Sequence, residues 1–141
     1  MIERTLLMIK PDAVERGLIG KILDRVEAAG LRVARLKLVA LGPAEARRFY
    51  RVHEGQPFLD GLVEYMSSGP VAAVVLEGEG AIARLRATVG ATDPAGAAPD
   101  TIRRDFGLDL RRNAVHASDG PQTAAEEIAF FGLTLRRDEG A

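Results

Sequence analysis

After Glu3 and Arg4 the chain runs through "TLLMI", residues 5–9, five positions without a charge, ended by Lys10 and Pro11. An apolar run of that length without alternation predicts a strand covered on both faces, with Lys10 at its exit. Ile19, Ile22, Leu23 and Val26 then recur at helical spacing and Gly30 supplies a stop, which predicts an amphipathic helix over 18–29. In "LRVARLKLVAL" the period drops to two. Leu36, Leu38 and Ala40 alternate with Arg35, Lys37 and Val39, predicting a strand with the first set on the core, while Leu31 and Val33 fall out of phase and imply a bulge. Pro43 opens a helix through Tyr50. Beyond the Gln56–Pro57 break, Leu59, Leu62, Val63 and Met66 mark another, stopped at Gly69. "VAAVVLEG" reads as a third strand. "AIARLRATVG" reads as a short helix with Ile82, Leu85 and Val89 inward and Arg84 and Arg86 towards solvent or a ligand.

From Ala91 to Arg112 neither period persists, and the segment holds Pro94, Gly96, Pro99 and Gly107. A loop of that length in a folded domain is expected to be functional, and its arginines at 103, 104, 111 and 112 favour order around something anionic. "NAVHAS" then reads as a short fourth strand. Thr123 with Glu126 forms a capping box, predicting a last helix over 124–130 that stops near Gly132. Strands separated by helices in this order predict an α+β fold. Its form is a ferredoxin-like split βαβ antiparallel sheet with helices covering one face, plus the long functional loop before the last strand.

The chain has 141 residues, 47% apolar and 28% charged, which fits one domain spanning 1–141. Its formal charge of -1 gives no bulk attraction to nucleic acid or an anionic membrane, so an anion site must be a local cluster. Cysteine is absent, which excludes disulfides and thiolate metal sites. The first apolar run is too short for a signal-peptide core or a membrane span, and a cytoplasmic location is expected.

Few stretches carry chemistry. "GLIGK", residues 17–21, fails as a phosphate loop, because two residues rather than four separate its glycines and Ile22 follows the lysine. His116, Ser118 and Asp119 are too close along a strand and turn to line up as a hydrolase triad. His53 ends a helix beside Glu54 and Gly55, where a histidine commonly meets the terminal carbonyls and the helix dipole. His116 by itself is better explained as a hydrogen-bonded histidine at a helix approach.

"MIKPD", "YMSSGPV", "TDP" followed by "TIRRDF", and "NAVHASD" occur in that order along nearly the whole chain. Together they resemble the nucleoside diphosphate kinases, whose signature is a histidine within N-x-x-H-x-S-D. The resemblance implies a ping-pong kinase that maintains nucleoside triphosphate pools. A nucleoside triphosphate would phosphorylate His116 and a nucleoside diphosphate would then collect the phosphoryl group. An ordinary imidazole, with a pKa of about 6.5, is roughly nine-tenths neutral at pH 7.5 and needs no general base. Phosphoryl transfer leaves the protein to position groups and neutralise charge, and one cation about 4 Å from a phosphate oxygen contributes at most ~4 kcal/mol. Several must converge.

By the resemblance, Lys10, Arg86 and Arg103 supply those cations, Thr92 a hydroxyl, and Mg²⁺ bridges phosphate oxygens without a direct protein ligand. Glu127 would accept a hydrogen bond from the imidazole nitrogen that does not attack. Ser118 and Tyr50 would lie near the histidine and the transferred phosphate. Asn113, with Lys10, would contact the sugar hydroxyls, and Phe58 would stack on the base. Ala117 and Arg104 stand where many relatives carry glycine, which bears on substrate affinity. The partners implied are nucleoside tri- and diphosphates and further copies of the chain, as a tetramer or hexamer, with no membrane or nucleic acid required. The alternative is a catalytically silent nucleotide-binding regulatory or nucleic-acid-binding module of the same fold.

Overall fold

The structure, a computed structural model, describes residues 2–135; position 1 and positions 136–141 of the expected domain lie outside the described residues. Strands β1 (Ile2–Ile9), β2 (Arg32–Ala40), β3 (Pro70–Glu79) and β4 (Val115–Ala117) form an antiparallel sheet in the order β2-β3-β1-β4. Because β3 sits between β1 and β2, the β1–helix–β2 unit is split, as expected of a ferredoxin-like α+β fold. The helices are α1 (Pro11–Glu15), α2 (Ile19–Ala28), α3 (Pro43–Phe49), α4 (Leu59–Met66), α5 (Ala81–Val89), α6 (Ile102–Phe106) and α7 (Pro121–Phe130).

The unbroken apolar run in β1 explains the layering. Leu7 and Ile9 pack with Ile22, Val26 and Leu85 on one face, and Leu6 and Met8 pack with Tyr50, Val63, Met66 and Ile128 on the other. Helices therefore cover both faces of the sheet, not one. The physical reason is that β1 over Leu6–Ile9 and β3 over Val71–Leu76 are apolar at consecutive positions, so each face presents a layer that must leave water.

Strand β2 departs from expectation. The register shift between Val33 and Arg35 is the bulge implied by the phase break. Leu36 and Leu38, however, are 52% and 61% exposed, and Ala40 is exposed as well. Alternation says which residues share a face; it does not say whether anything covers that face at the sheet's edge.

Three local readings also change. Helix α7 begins at Pro121 with Gly120 as its cap, so Thr123 lies inside the first turn and caps nothing. Pro at the first helical position has taken over the role given to the capping box. The segment 91–112 is folded: a 3-10 turn spans Pro94–Gly96, and α6 is capped by Thr101, whose Oγ1 accepts from the Arg104 N–H. Helix α1 follows β1 directly, started by Pro11 with Asp12 in its first turn.

Candidate active site

His116 is the middle residue of β4 and pairs with Met8 of β1. The chain continues antiparallel, with the Ser118 N–H donating to the Leu6 carbonyl at 3.1 Å. Glu127, in the second turn of α7, turns its carboxylate to the same spot. Both of its oxygens lie 2.9 Å from His116 Nε2, and Ser118 Oγ donates to Oε1 at 2.6 Å. An ionised carboxylate only accepts, so this geometry assigns the imidazole proton to Nε2 and the lone pair to Nδ1. The ring is packed edge-on against Phe49 and Tyr50, with centroids 5.3 and 6.4 Å away. Ser118 thus serves Glu127, and Asp119 turns elsewhere; no triad forms.

Lys10, 6% exposed where β1 meets α1, donates from Nζ to Asn113 Oδ1 and to the Arg111 carbonyl, each at 2.9 Å. Burial pushes its ammonium down from 10.5 to about 8, against a smaller upward pull from Asp12. Asn113 is held in turn by donating from Nδ2 to the Thr92 carbonyl at 3.0 Å. Arg103, buried in α6, reaches the Gly90 carbonyl at 3.2 Å and the Val115 carbonyl at 2.9 Å. Its burial, with Arg86 nearby, lowers its pKa to about 10. Arg86 on α5 pairs with Asp119 at 3.0 Å, on a side where both are solvent-accessible.

These residues share a cleft of about 520 Å³, lined by Lys10, Tyr50, Phe58, Arg86, Thr92, Arg103, Asn113 and His116 among others. Of the sequence-predicted residues, only Ser118 and Glu127 are absent from its wall, and both lie behind the histidine. A larger hollow of about 730 Å³ beside α4 shares only Leu110 and Arg111 with the cleft and holds none of the predicted residues.

Sequence reasoning overlooked several lining residues. His53 does close a helical turn after α3, but its ring lies in the cleft, stacked on Tyr50 at 6.2 Å and edge-on to Phe58 at 5.1 Å. Leu62, Leu110 and Arg111 join the wall beside Phe58, which is 44% exposed. Among the described residues, two buried polar atoms of the cleft lack a protein partner, the Tyr50 hydroxyl and Arg103 Nε. Burial, with Glu127 adding to it, drives the Tyr50 hydroxyl well above its ordinary pKa, so it stays a donor. A cleft lined by four cationic side chains, Lys10, Arg86, Arg103 and Arg111, and holding spare donors suits a polyanion with several oxygens.

The profile of the family described as nucleoside diphosphate kinase matches residues 3–133. The chain belongs to the nucleoside diphosphate kinase family. A nucleoside diphosphate kinase of Campylobacter hominis is 54% identical over 130 residues, covering 92% of this chain and 95% of the relative. The solved nucleoside diphosphate kinase of Aquifex aeolicus superposes with a TM-score of 0.90 at 51% identity, covering 93% of this chain and 95% of that one. That of Halobacterium salinarum, solved in complex with CDP, gives 0.90 at 43% identity, covering 98% and 95%. The chain is accordingly a phosphotransferase of ferredoxin-like fold. Among the described residues no helix is long and apolar enough to cross a membrane.

Proposed function

We propose that the chain carries out its family's reaction through His116 Nδ1, moving the terminal phosphoryl group of a nucleoside triphosphate to a nucleoside diphosphate. The observation that carries this reading is the double grip of Glu127 on Nε2, which leaves Nδ1 as the free nucleophile in a cleft lined by Lys10, Arg86, Arg103 and Arg111. In the first half-reaction the Nδ1–phosphorus bond forms as the bond from phosphorus to the bridging oxygen breaks. The leaving diphosphate takes the electron pair, and Lys10, Arg86 and Arg103 neutralise it. The positive charge on the phosphorylated imidazole is met by Glu127, supported by Ser118. No proton has to move. The second half-reaction is the reverse with a different nucleotide, and transfer to water is avoided because the intermediate forms and discharges inside the cleft.

Tyr50 and Thr92 supply hydroxyls to the phosphates, Asn113 with Lys10 holds the sugar, and Phe58 with His53 behind it offers a face to the base. Stacking tolerates any base. No three His, Cys, Asp or Glu side chains converge as a metal cage among the described residues. The donor set of the cleft, cations and hydroxyls, fits phosphate oxygens, so Mg²⁺ would be held through the nucleotide, and its chemistry there is neutralisation of phosphate charge. The reading includes a cytoplasmic enzyme whose residues 1–141 act as one domain. It also includes a homo-oligomer, tetramer or hexamer, supported by Leu36 and Leu38 on the edge strand β2 and read by sedimentation velocity.

The test incubates wild-type and His116→Ala protein with γ-labelled ATP and Mg²⁺, then adds GDP. Acid-labile label on the wild type alone, discharged to GTP, is the expected result. A wild type that binds nucleotide but never labels would establish the silent regulatory module instead.

A further inference from the structure

The chain reaches His116 through a backbone conformation that alanine rarely adopts. Ala114, wholly buried, has φ of +75°, and across it the Val115 N–H donates to the Asn113 carbonyl at 2.9 Å. This is a three-residue turn of the strained γ type, which persists only where its surroundings impose it. Both backbone groups of Ala114 are tied to one short segment. Its carbonyl accepts from the Lys10 N–H at 2.9 Å, and its N–H donates to Asp12 Oδ2 at 3.2 Å.

Asp12 is itself clamped. Its carboxylate accepts from the Tyr65 hydroxyl and from the Arg16 guanidinium, and its own N–H donates to the Tyr65 oxygen at 2.9 Å. Neither Asp12 nor Tyr65 lines the nucleotide cleft. The turn decides how Asn113 leaves the strand, and Asn113 is the partner of both the Lys10 amine and Thr92. The histidine beyond the turn is secured separately, by pairing of β4 with β1 and by Glu127.

We propose that Asp12, clamped by Tyr65, is a positioning residue that holds the Ala114 turn and so sets Asn113 for the nucleotide, without acting on His116 and with the Lys10 amine still held by the Arg111 carbonyl. The proposal rests on the nucleotide site described above. It predicts a split between binding and chemistry, read by two measurements: the Kd for ADP by titration, and the rate of His116 labelling at saturating ATP. Asp12→Ala weakens ADP about tenfold, the worth of a lost buried hydrogen bond, and leaves the saturated labelling rate within about threefold of wild type. Asp12→Asn, whose carbonyl still accepts from the Ala114 N–H, keeps ADP binding within about threefold, which separates the turn from a loss of negative charge near Lys10. In an Ala114→Gly background, where φ of +75° carries no side-chain strain, Asp12→Ala weakens ADP by less than about threefold.

The proposal is overturned if Asp12→Ala leaves ADP affinity unchanged, if its effect is as large with Ala114→Gly as without, or if Asp12→Asn is as harmful as Asp12→Ala. Should Asp12→Ala fail to fold, Tyr65→Phe with and without Ala114→Gly makes the same comparison. A wild type that neither binds ADP nor labels overturns the nucleotide reading itself, a result distinct from all of these.

Discussion

Replacing Lys10 by methionine should expose a stability cost built into the cleft. Lys10 is buried with its ammonium against a carbonyl and an amide oxygen, and no carboxylate pairs with it directly. The fall of its pKa from 10.5 to about 8 corresponds to ~3 kcal/mol by which burial disfavours the charged form. Between those two values the unfolded chain binds more protons than the folded one, so the unfolding free energy rises with pH there. At pH 7 both states are protonated and the full penalty is present; by pH 9.5 about 2 kcal/mol of it has gone. Methionine fills the space of the stem and carries no proton. It leaves the Arg111 carbonyl and Asn113 Oδ1 short of a donor, a loss of about 1–2 kcal/mol that is the same at every pH. The difference between wild type and Lys10→Met across pH therefore isolates the charge. Urea unfolding of both proteins at pH 7 and pH 9.5 should show the wild type gaining ~2 kcal/mol relative to the variant. A difference constant to within ~0.5 kcal/mol would refute the reasoning, since it would mean that the folded and unfolded lysines titrate alike. ADP binding by the wild type should weaken over the same range, as the cation leaves.

Two further outcomes follow from the contacts. Glu127→Gln removes the charge facing His116 Nε2 and one of its two acceptors, and should slow labelling roughly 10- to 100-fold, the worth of a charge-assisted hydrogen bond. Ser118→Ala, which acts only through Glu127, should slow it less than about tenfold; the opposite order in single-turnover labelling would contradict the arrangement. Gly90→Ala puts a methyl 2.6 Å from Thr101 Oγ1 at a residue with φ of +88°, and Gly90 also supplies a carbonyl to Arg103. It should destabilise the protein by about 2–4 kcal/mol and weaken ADP binding, and an unchanged melting temperature would show that the α5–α6 junction yields freely.

Much of this was legible along the chain, and the limits are instructive. Local pattern was sufficient for the central strand, the order of the main elements and the bulge in β2, because burial on both faces and a break of period are written in neighbouring residues. It was insufficient at Thr123, where two local signals competed and Pro121 prevailed, and at 102–106, where a five-residue helix is too short to show a period. Lys10, Thr92, Arg103, Asn113, His116 and Ser118 were readable inside the family motifs, and Tyr50, Phe58, Arg86 and Glu127 only by matching positions along the rest of the chain. Their geometry was not. Lys10 meets Asn113 across a separation of 103 residues, Asp12 meets Ala114 across 102, and nothing in either segment states the encounter. The same holds for His53, whose place in the cleft depends on the packing of Tyr50 and Phe58 around it. Periodicity records what a residue needs from its own element, whereas the lowered pKa of Lys10, the free Nδ1 of His116 and the strained turn at Ala114 arise from groups brought together only when the sheet closes β4 against β1.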